Sequence, residues 1–202
     1  IKMENKMVIM DIDGVLADLE GQLVEYLVGK FGERANVNRD MYSLEDRYAD
    51  VPDVLAEALE FVLDPNSYYG LPAHADGIRF VESLINTDYH VLFLSSRPKA
   101  AETATVRWLK KYVENYGYSG GARCVAGSKA RLILKEMSGL VAFVVDDNPD
   151  AVKELNAGGV LAYAWSQRWN DGVYPRIYPI ETFMWIDESP SRAHLDFWDK
   201  WS

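Results

Sequence analysis

Met7-Val8-Ile9-Met10-Asp11-Ile12-Asp13-Gly14 begins with four apolar residues that show no polar alternation and ends on two aspartates and a glycine. A strand that is apolar at successive positions is covered on both faces, as in a parallel sheet held between helices. Val91-Leu92-Phe93-Leu94 and Val141-Ala142-Phe143-Val144-Val145 repeat the pattern. Around these runs, strands are expected at Met7–Ile12, His90–Ser95, Ala122–Ala126, Leu140–Asp146 and Gly159–Trp165. Helical spacing places helices between them at Asp76–Asn86, Ala100–Tyr116, Ser128–Met137 and Pro149–Asn156. The last has Asn148 as a cap, Pro149 at the first helical position and Gly158-Gly159 to close it. Strand and helix in alternation give an α/β fold, a Rossmann-like doubly wound parallel sheet of about five core strands.

One stretch breaks the alternation. About sixty residues, Val15 to Ala75, separate the first strand from the next helix without a convincing core strand. Leu16, Leu19, Leu23, Leu27 and Phe31 mark one helix face before Gly32, and Asp53–Leu63 reads as a second helix stopped by Asp64-Pro65. The expected organisation is a discontinuous core, residues 1–14 and 76–202, around a small helical cap at 15–75. The tail after Trp165 is rich in Trp, Tyr and Pro and ends in an expected helix, Ser191–Trp201, with no path readable from the sequence.

Composition narrows the function. The 202 residues are 49% hydrophobic and 26% charged, which suits one folded domain rather than a disordered chain. Lys and Arg total 21 against 31 Asp and Glu, a net charge of -10, the wrong sign for gripping extended nucleic acid through its backbone. A single cysteine, Cys124, cannot form an internal disulfide and points to a reducing cytoplasm. No run approaches the roughly 18 apolar residues of a membrane span, and the first apolar run meets Asp11 too soon for a signal peptide. The expected protein is therefore cytoplasmic, with no membrane partner. Its acidic surface and six tryptophans leave room for a homo-oligomer.

In an open parallel sheet the ligand site lies beyond the carboxyl ends of the strands. Strand one ends in Asp11-Ile12-Asp13-Gly14, strand two in Ser95-Ser96-Arg97-Pro98, strand four in Asp146-Asp147-Asn148-Pro149-Asp150, and Lys129 follows strand three closely. Carboxylates crowded at one edge repel one another unless a cation neutralises them. A hard divalent ion, Mg2+ in the first place, takes few protein carboxylates and shares its shell with water and substrate phosphate. Ser95, Ser96 and Lys129 suit phosphate oxygens. Asp11 and Asp13, two apart, can divide the work, one attacking phosphorus and the other moving protons.

Plainer readings exist for each feature. Asp-x-Asp-Gly alone marks a strand-end turn, and Ser95-Ser96 alone would cap a helix. Lys129 could be a surface lysine, with Lys135 the weaker substitute. What tells against these readings is that three strand ends agree. His74, His90 and His194 are too scattered for a histidine metal site or a Ser-His-Asp triad. Gly127-Ser128-Lys129 lacks the Gly-Lys-Ser/Thr order of a Walker A loop. Cys124, in an expected buried strand, reads as inert.

The stretch Val8-Ile9-Met10-Asp11-Ile12-Asp13-Gly14-Val15-Leu16-Ala17-Asp18 resembles the first motif of the haloacid dehalogenase-like phosphohydrolases, with Ser95, Lys129 and Asp146-Asp147 in the second, third and fourth motif positions. That resemblance implies an aspartyl-phosphate mechanism with Asp11 as nucleophile and Asp13 as general acid and base. It places Mg2+ between the Asp11 carboxylate, the Asp13 backbone carbonyl, the Asp147 carboxylate and phosphate. Asp146 then supports the metal through water, or the two aspartates exchange roles. Ser95 and Lys129 hold the phosphoryl oxygens. Within the superfamily the chain is most similar to the 5'(3')-deoxyribonucleotidases, a kind of 5'-nucleotidase, through the first and fourth motifs, Leu44-Glu45-Asp46-Arg47, Asn66-Ser67-Tyr68-Tyr69 and Trp108-Leu109-Lys110-Lys111-Tyr112. Those relatives act on nucleoside monophosphates, which makes Tyr68 and Tyr69 candidates for stacking a base.

The chain departs from that family at two places. Ser95-Ser96-Arg97-Pro98 stands where Thr-Ser-Pro is usual, and Asn148 where an arginine is usual. Arg97 adds a charge that could select another leaving group, and polynucleotide 3'-phosphatases of the superfamily have a Ser-x-Arg there. The expected function is a Mg2+-dependent phosphomonoesterase of (deoxy)nucleoside monophosphates. The alternatives are a polynucleotide-end 3'-phosphatase, a non-nucleotide phosphatase, or a binding protein that keeps the fold without the chemistry.

Overall fold

Among the described residues seven strands form one sheet in the order β3-β2-β1-β4-β5-β6-β7. The computed structural model describes residues 7–86, 89–113, 121–173, 175–179 and 184–187. The first five strands are β1 Met7–Met10, β2 His90–Ser95, β3 Ala122–Cys124, β4 Val141–Asp146 and β5 Ala162–Trp165, all parallel. The last two are β6 Arg176–Pro179, parallel to β5, and β7 Met184–Asp187, antiparallel to β6. The five expected core strands are present, and β6 and β7 extend the sheet beyond them. Pro175 precedes β6 and Pro179 ends it, and proline, with no N–H for the ladder, reads as a strand breaker when only the sequence is available. The expected helix at Ser191–Trp201 lies outside the described residues.

The double winding is written in β1. Val8 and Met10 join Phe93, Phe143 and Val145 in one buried cluster with α4 (Ala75–Asn86) and α5 (Glu102–Val113). Ile9 points the other way and joins Leu94 and Val144 in a second cluster with α6 (Lys129–Glu136) and α7 (Pro149–Ala157). Burying each such side chain contributes about 1.5–3 kcal/mol, so a strand apolar on both sides gains only if both faces are covered. Asn148 caps α7 as its sequence suggests, its side chain accepting from the N–H groups of Asp150 and Ala151.

Between β1 and α4 lie α1 (Leu19–Phe31), α2 (Leu44–Arg47) and α3 (Pro52–Leu63). Asp18 caps α1 by accepting the Gly21 N–H at 2.8 Å, so Leu16 falls before the helix and packs in the main core instead. Leu23, Leu27, Ala35, Tyr48, Val54 and Ala58 form a separate small cluster among these helices.

The order of the sheet reverses at β1: the chain passes through β2 and β3 on one side and returns to β4 on the other. Such a switch point opens a crevice at the strands' carboxyl ends. Met10 is paired with Phe93 and with Val145, so one residue further on Asp11 stands beside Asp146.

Candidate active site

At this edge a cleft of about 550 Å³ opens between the sheet and the helices α1–α3. Asp11, at its floor, follows the last residue of β1 and is held by its own N–H on the Val145 carbonyl, 2.9 Å away. The chain then turns tightly. The N–H groups of Leu16 and Ala17 both donate to the Ile12 carbonyl, and Gly14 takes φ 77°, a conformation open chiefly to glycine.

Lys129, the first residue of α6, is 6% exposed and places Nζ 2.7 Å from Asp11 Oδ1 and 2.8 Å from Asp146 Oδ2. An ammonium has three donors, so one remains beyond these two carboxylates. Asp146 also accepts the Asn148 N–H at 3.0 Å, which turns its second oxygen back into its own loop. Asp147 is fastened by its backbone: its carbonyl accepts from Asn170 Nδ2 at 2.9 Å and from Trp169 Nε1 at 3.3 Å. That leaves its carboxylate to line the cleft.

Burial pushes the Asp11 carboxyl up to about 7, Lys129 drawing the other way while Asp146 and Asp13 add to the rise. Burial, and then Asp11 and Asp146, raise Asp147 well above the usual carboxylate range. For Lys129 burial alone would favour the neutral amine, but Asp11 and Asp146 hold it above its ordinary value and therefore charged.

Among the described residues, Asp11, Asp146 and Asp147 are the one group of potential metal ligands whose oxygens lie within 4.8 Å of one another. Together with Asp13, and with every carboxyl ionised, the edge sets four carboxylates against the two cations Lys129 and Arg97, a formal excess of two negative charges. The absence of a side chain at Gly14 leaves room for the Asp147 carboxylate: a Cβ there would sit 2.0 Å from its Oδ2. All-oxygen donors, a formal surplus of two negative charges and raised proton affinities fit a hard divalent cation such as Mg2+.

Arg97 faces inward. Its Nε donates to Asp13 Oδ2 at 2.8 Å and its Nη2 to Asp13 Oδ1 at 2.7 Å, and Ser95 Oγ lies 3.5 Å from the same Oδ2. Ser95 is fully buried and accepts the Arg97 N–H at 3.1 Å, whereas its neighbour Ser96 is exposed and lines the cleft. Tyr68 lines the cleft too, but its ring is 2% exposed, lies 4.4 Å below the Arg97 guanidinium, and its hydroxyl donates to the Val62 carbonyl. Tyr69 turns away to Arg107, 5.8 Å from its ring, and is not part of the cleft wall.

The structure thus brings together Asp11, Asp13, Ser95, Ser96, Arg97, Lys129, Asp146, Asp147 and Tyr68, and leaves Tyr69 outside. It adds a pair that sequence reasoning missed. Tyr42, in the loop before α2, and Trp169, after β5, meet at the cleft mouth with ring centroids 6.4 Å apart. The Tyr42 segment is held by Arg47, whose Nε and Nη2 donate to the Met41 carbonyl while Nη1 pairs with Glu20. The Trp169 turn is tied to the first strand's loop, Gln167 Nε2 donating to the Gly14 carbonyl. Trp169 was within reach of the strand-end rule, since it follows β5 by four residues. Nothing in the periodicity marks Tyr42.

No protein-family model matches the sequence, and no curated protein matches it either. Solved structures do resemble it. A haloacid dehalogenase-like family hydrolase from Streptococcus pneumoniae superposes with a TM-score of 0.54 at 15% identity, covering 80% of this chain and 84% of that one. A predicted phosphatase from Clostridium acetobutylicum gives 0.53 at 14% identity, over 80% of this chain and 85% of that one. A dehalogenase gives 0.54 at 15% identity, over 81% and 86%. At these identities the likeness shows the fold, a Rossmann-like α/β core shared with haloacid dehalogenase-like proteins. Among the described residues no helix is long and apolar enough to cross a membrane.

Proposed function

We propose that the chain is a Mg2+-dependent phosphomonoesterase of the haloacid dehalogenase-like superfamily that acts on (deoxy)nucleoside monophosphates through an aspartyl-phosphate. The observation that carries this reading is the juxtaposition of Asp11 and Asp13 at one strand end with Lys129, Asp146 and Asp147 from two others. The fold shared with hydrolases and phosphatases supports the reaction class.

Asp11 attacks phosphorus with the oxygen that Lys129 does not hold, the bond to the ester oxygen breaks, and Asp13 gives that oxygen its proton. Water then attacks the phosphorus of the aspartyl-phosphate, Asp13 takes its proton, and the bond to Asp11 breaks to release phosphate. Lys129 and Ser96 lie where phosphoryl oxygens can be met by donors. Asp11 and Asp147, with the Asp13 carbonyl, are the groups to hold Mg2+, and Asp146 supports them. When bound, the ion supplies charge neutralisation between the carboxylates and the phosphoryl group.

The nucleotide assignment rests on the mouth. The cleft volume falls in the range of small-molecule sites, about 300–1,000 Å³, and Tyr42, itself 42% exposed, offers a ring to a planar group. Phosphate release from a panel of ribo- and deoxyribonucleoside 5'- and 3'-monophosphates, sugar phosphates and a 3'-phosphorylated oligonucleotide tests it, with and without Mg2+. Selective Mg2+-dependent release from deoxynucleotides that is abolished in a folded Asp11→Asn variant is the expected result. Release from other esters alone discards the substrate and keeps the chemistry, and no release from any of them overturns the enzyme.

A further inference from the structure

Arg97 is the most fully constrained cation at the site, and its side chain has no exposed surface. Two of its nitrogens grip both oxygens of Asp13, at 2.7 and 2.8 Å. Its third, Nη1, donates to Thr105 Oγ1 at 3.0 Å, and Thr105 in turn donates to the Ala101 carbonyl at 2.9 Å. The Tyr68 ring lies against the guanidinium plane, and the Arg97 N–H is fixed on Ser95 Oγ. Each of the three nitrogens is engaged by protein and the side chain has no exposed surface, so Arg97 meets a phosphate in the cleft only if it releases Asp13. Asp13, by contrast, keeps 20% of its side chain exposed at the cleft.

We propose that Arg97 is a positioning residue which fixes the plane of the Asp13 carboxyl group, so that it faces the water that hydrolyses the aspartyl-phosphate. The proposal rests on the phosphomonoesterase reading. A guanidinium fork fixes the plane of a carboxylate as a lysine ammonium cannot, and it occupies one lone pair on each oxygen while leaving others for a proton acceptor role. The lone pairs that the fork leaves free are the ones that serve the second half of the reaction. In that half, water's oxygen forms the new bond to phosphorus, its proton goes to Asp13, and the electron pair of the breaking phosphorus–oxygen bond returns to Asp11.

The test is rapid-mixing kinetics with p-nitrophenyl phosphate, whose leaving group departs without a proton, so that the first half is insensitive to Asp13. Arg97→Lys keeps the charge and loses the fork. It is expected to release p-nitrophenolate in a burst equal to the enzyme concentration, followed by a steady state about 100-fold slower than the parent, with KM falling alongside kcat. Thr105→Val, which removes the brace but not the fork, is expected to give the same burst with a milder slowing, and it serves if Arg97→Lys does not fold. A structural role alone slows both halves and gives no burst. Absence of a burst in the folded variants, or parental turnover, overturns the positioning role while an inactive Asp11→Asn leaves the enzyme reading standing. A parent protein that releases no nitrophenolate, or an Asp11→Asn variant that does, overturns the enzyme reading and the positioning role with it.

Discussion

A Cβ atom on Gly14 would lie 2.0 Å from Oδ2 of Asp147, although the two residues belong to loops 133 positions apart in the chain. The loops after β1 and β4 are therefore pressed together at the point where the carboxylate lines the cleft, and a hydrogen atom is all that fits. Gly14 also sits at φ 77°, which strains any other residue.

Gly14→Ala should therefore displace the Asp147 carboxylate and strain the turn by about 1–2 kcal/mol. The expected result is a Mg2+ half-saturation for phosphate release raised roughly tenfold, equivalent to about 1.4 kcal/mol, with a melting temperature a few degrees lower. An unchanged Mg2+ requirement would show that Asp147 does not hold the ion.

Lys129 joins Asp11 to Asp146 in a setting where all three are buried. Removing one partner of a buried ion cluster leaves uncompensated charge, at a cost of about 3–5 kcal/mol. Lys129→Met should lose that much stability in urea denaturation without Mg2+, recover part of it when Mg2+ is added, and lose phosphate release. Equal stability of the two proteins in the absence of metal would contradict the arrangement.

The raised carboxyls give the metal-free protein a pH dependence of definite sign. Asp11 titrates at about 7 in the folded chain against an ordinary value of 3.8. Between those values the native protein holds a proton that the unfolded chain has lost, so stability falls as pH rises through this window and levels off above it. Asp147 is shifted the same way. Thermal melts of metal-free protein should be higher near pH 5 than near pH 8, and Asp11→Asn should flatten the difference. Mg2+, competing with these protons, should raise the melting temperature more near pH 8. A larger effect of Mg2+ near pH 5 would refute the assignment of the site to a cation.

Tyr42 and Trp169 offer a further test because they meet across the mouth from different parts of the chain. Stacking a base on an aromatic ring contributes about 1–3 kcal/mol. Tyr42→Ala should raise KM for nucleoside monophosphates about tenfold while leaving KM for a small aliphatic phosphate ester unchanged. Trp169→Phe keeps a ring and loses the indole N–H on the Asp147 carbonyl, which Asn170 still serves, so its effect should be smaller. A uniform loss for both classes of ester would assign the pair to closure of the cleft rather than to choice of substrate.

Local pattern was enough for the frame. Apolar residues at successive positions of β1, β2 and β4 dictate burial on both faces, burial on both faces dictates a parallel sheet between helices, and that sheet brings Asp11, Asp13, Lys129, Asp146 and Asp147 to one edge. Other features depend on distances between residues far apart in the chain, and these emerged only from the folded structure. Arg97, chosen from sequence as a substrate ligand, is folded back onto Asp13 because Thr105 and Tyr68 close around it. Tyr68 and Tyr69, equivalent as neighbours in the sequence, part company because one ring is buried under Arg97 and the other lies by Arg107. β6 pairs although prolines stand at both its ends, since its partner strand β5 supplies the ladder that local propensity withholds. Tyr42 meets Trp169 from a loop whose Met41 carbonyl is held by Arg47, 27 residues from that arginine's partner Glu20. Side-chain pattern fixes which face is buried; which polar groups then meet is set by long-range packing, where the spacing along the chain carries no information.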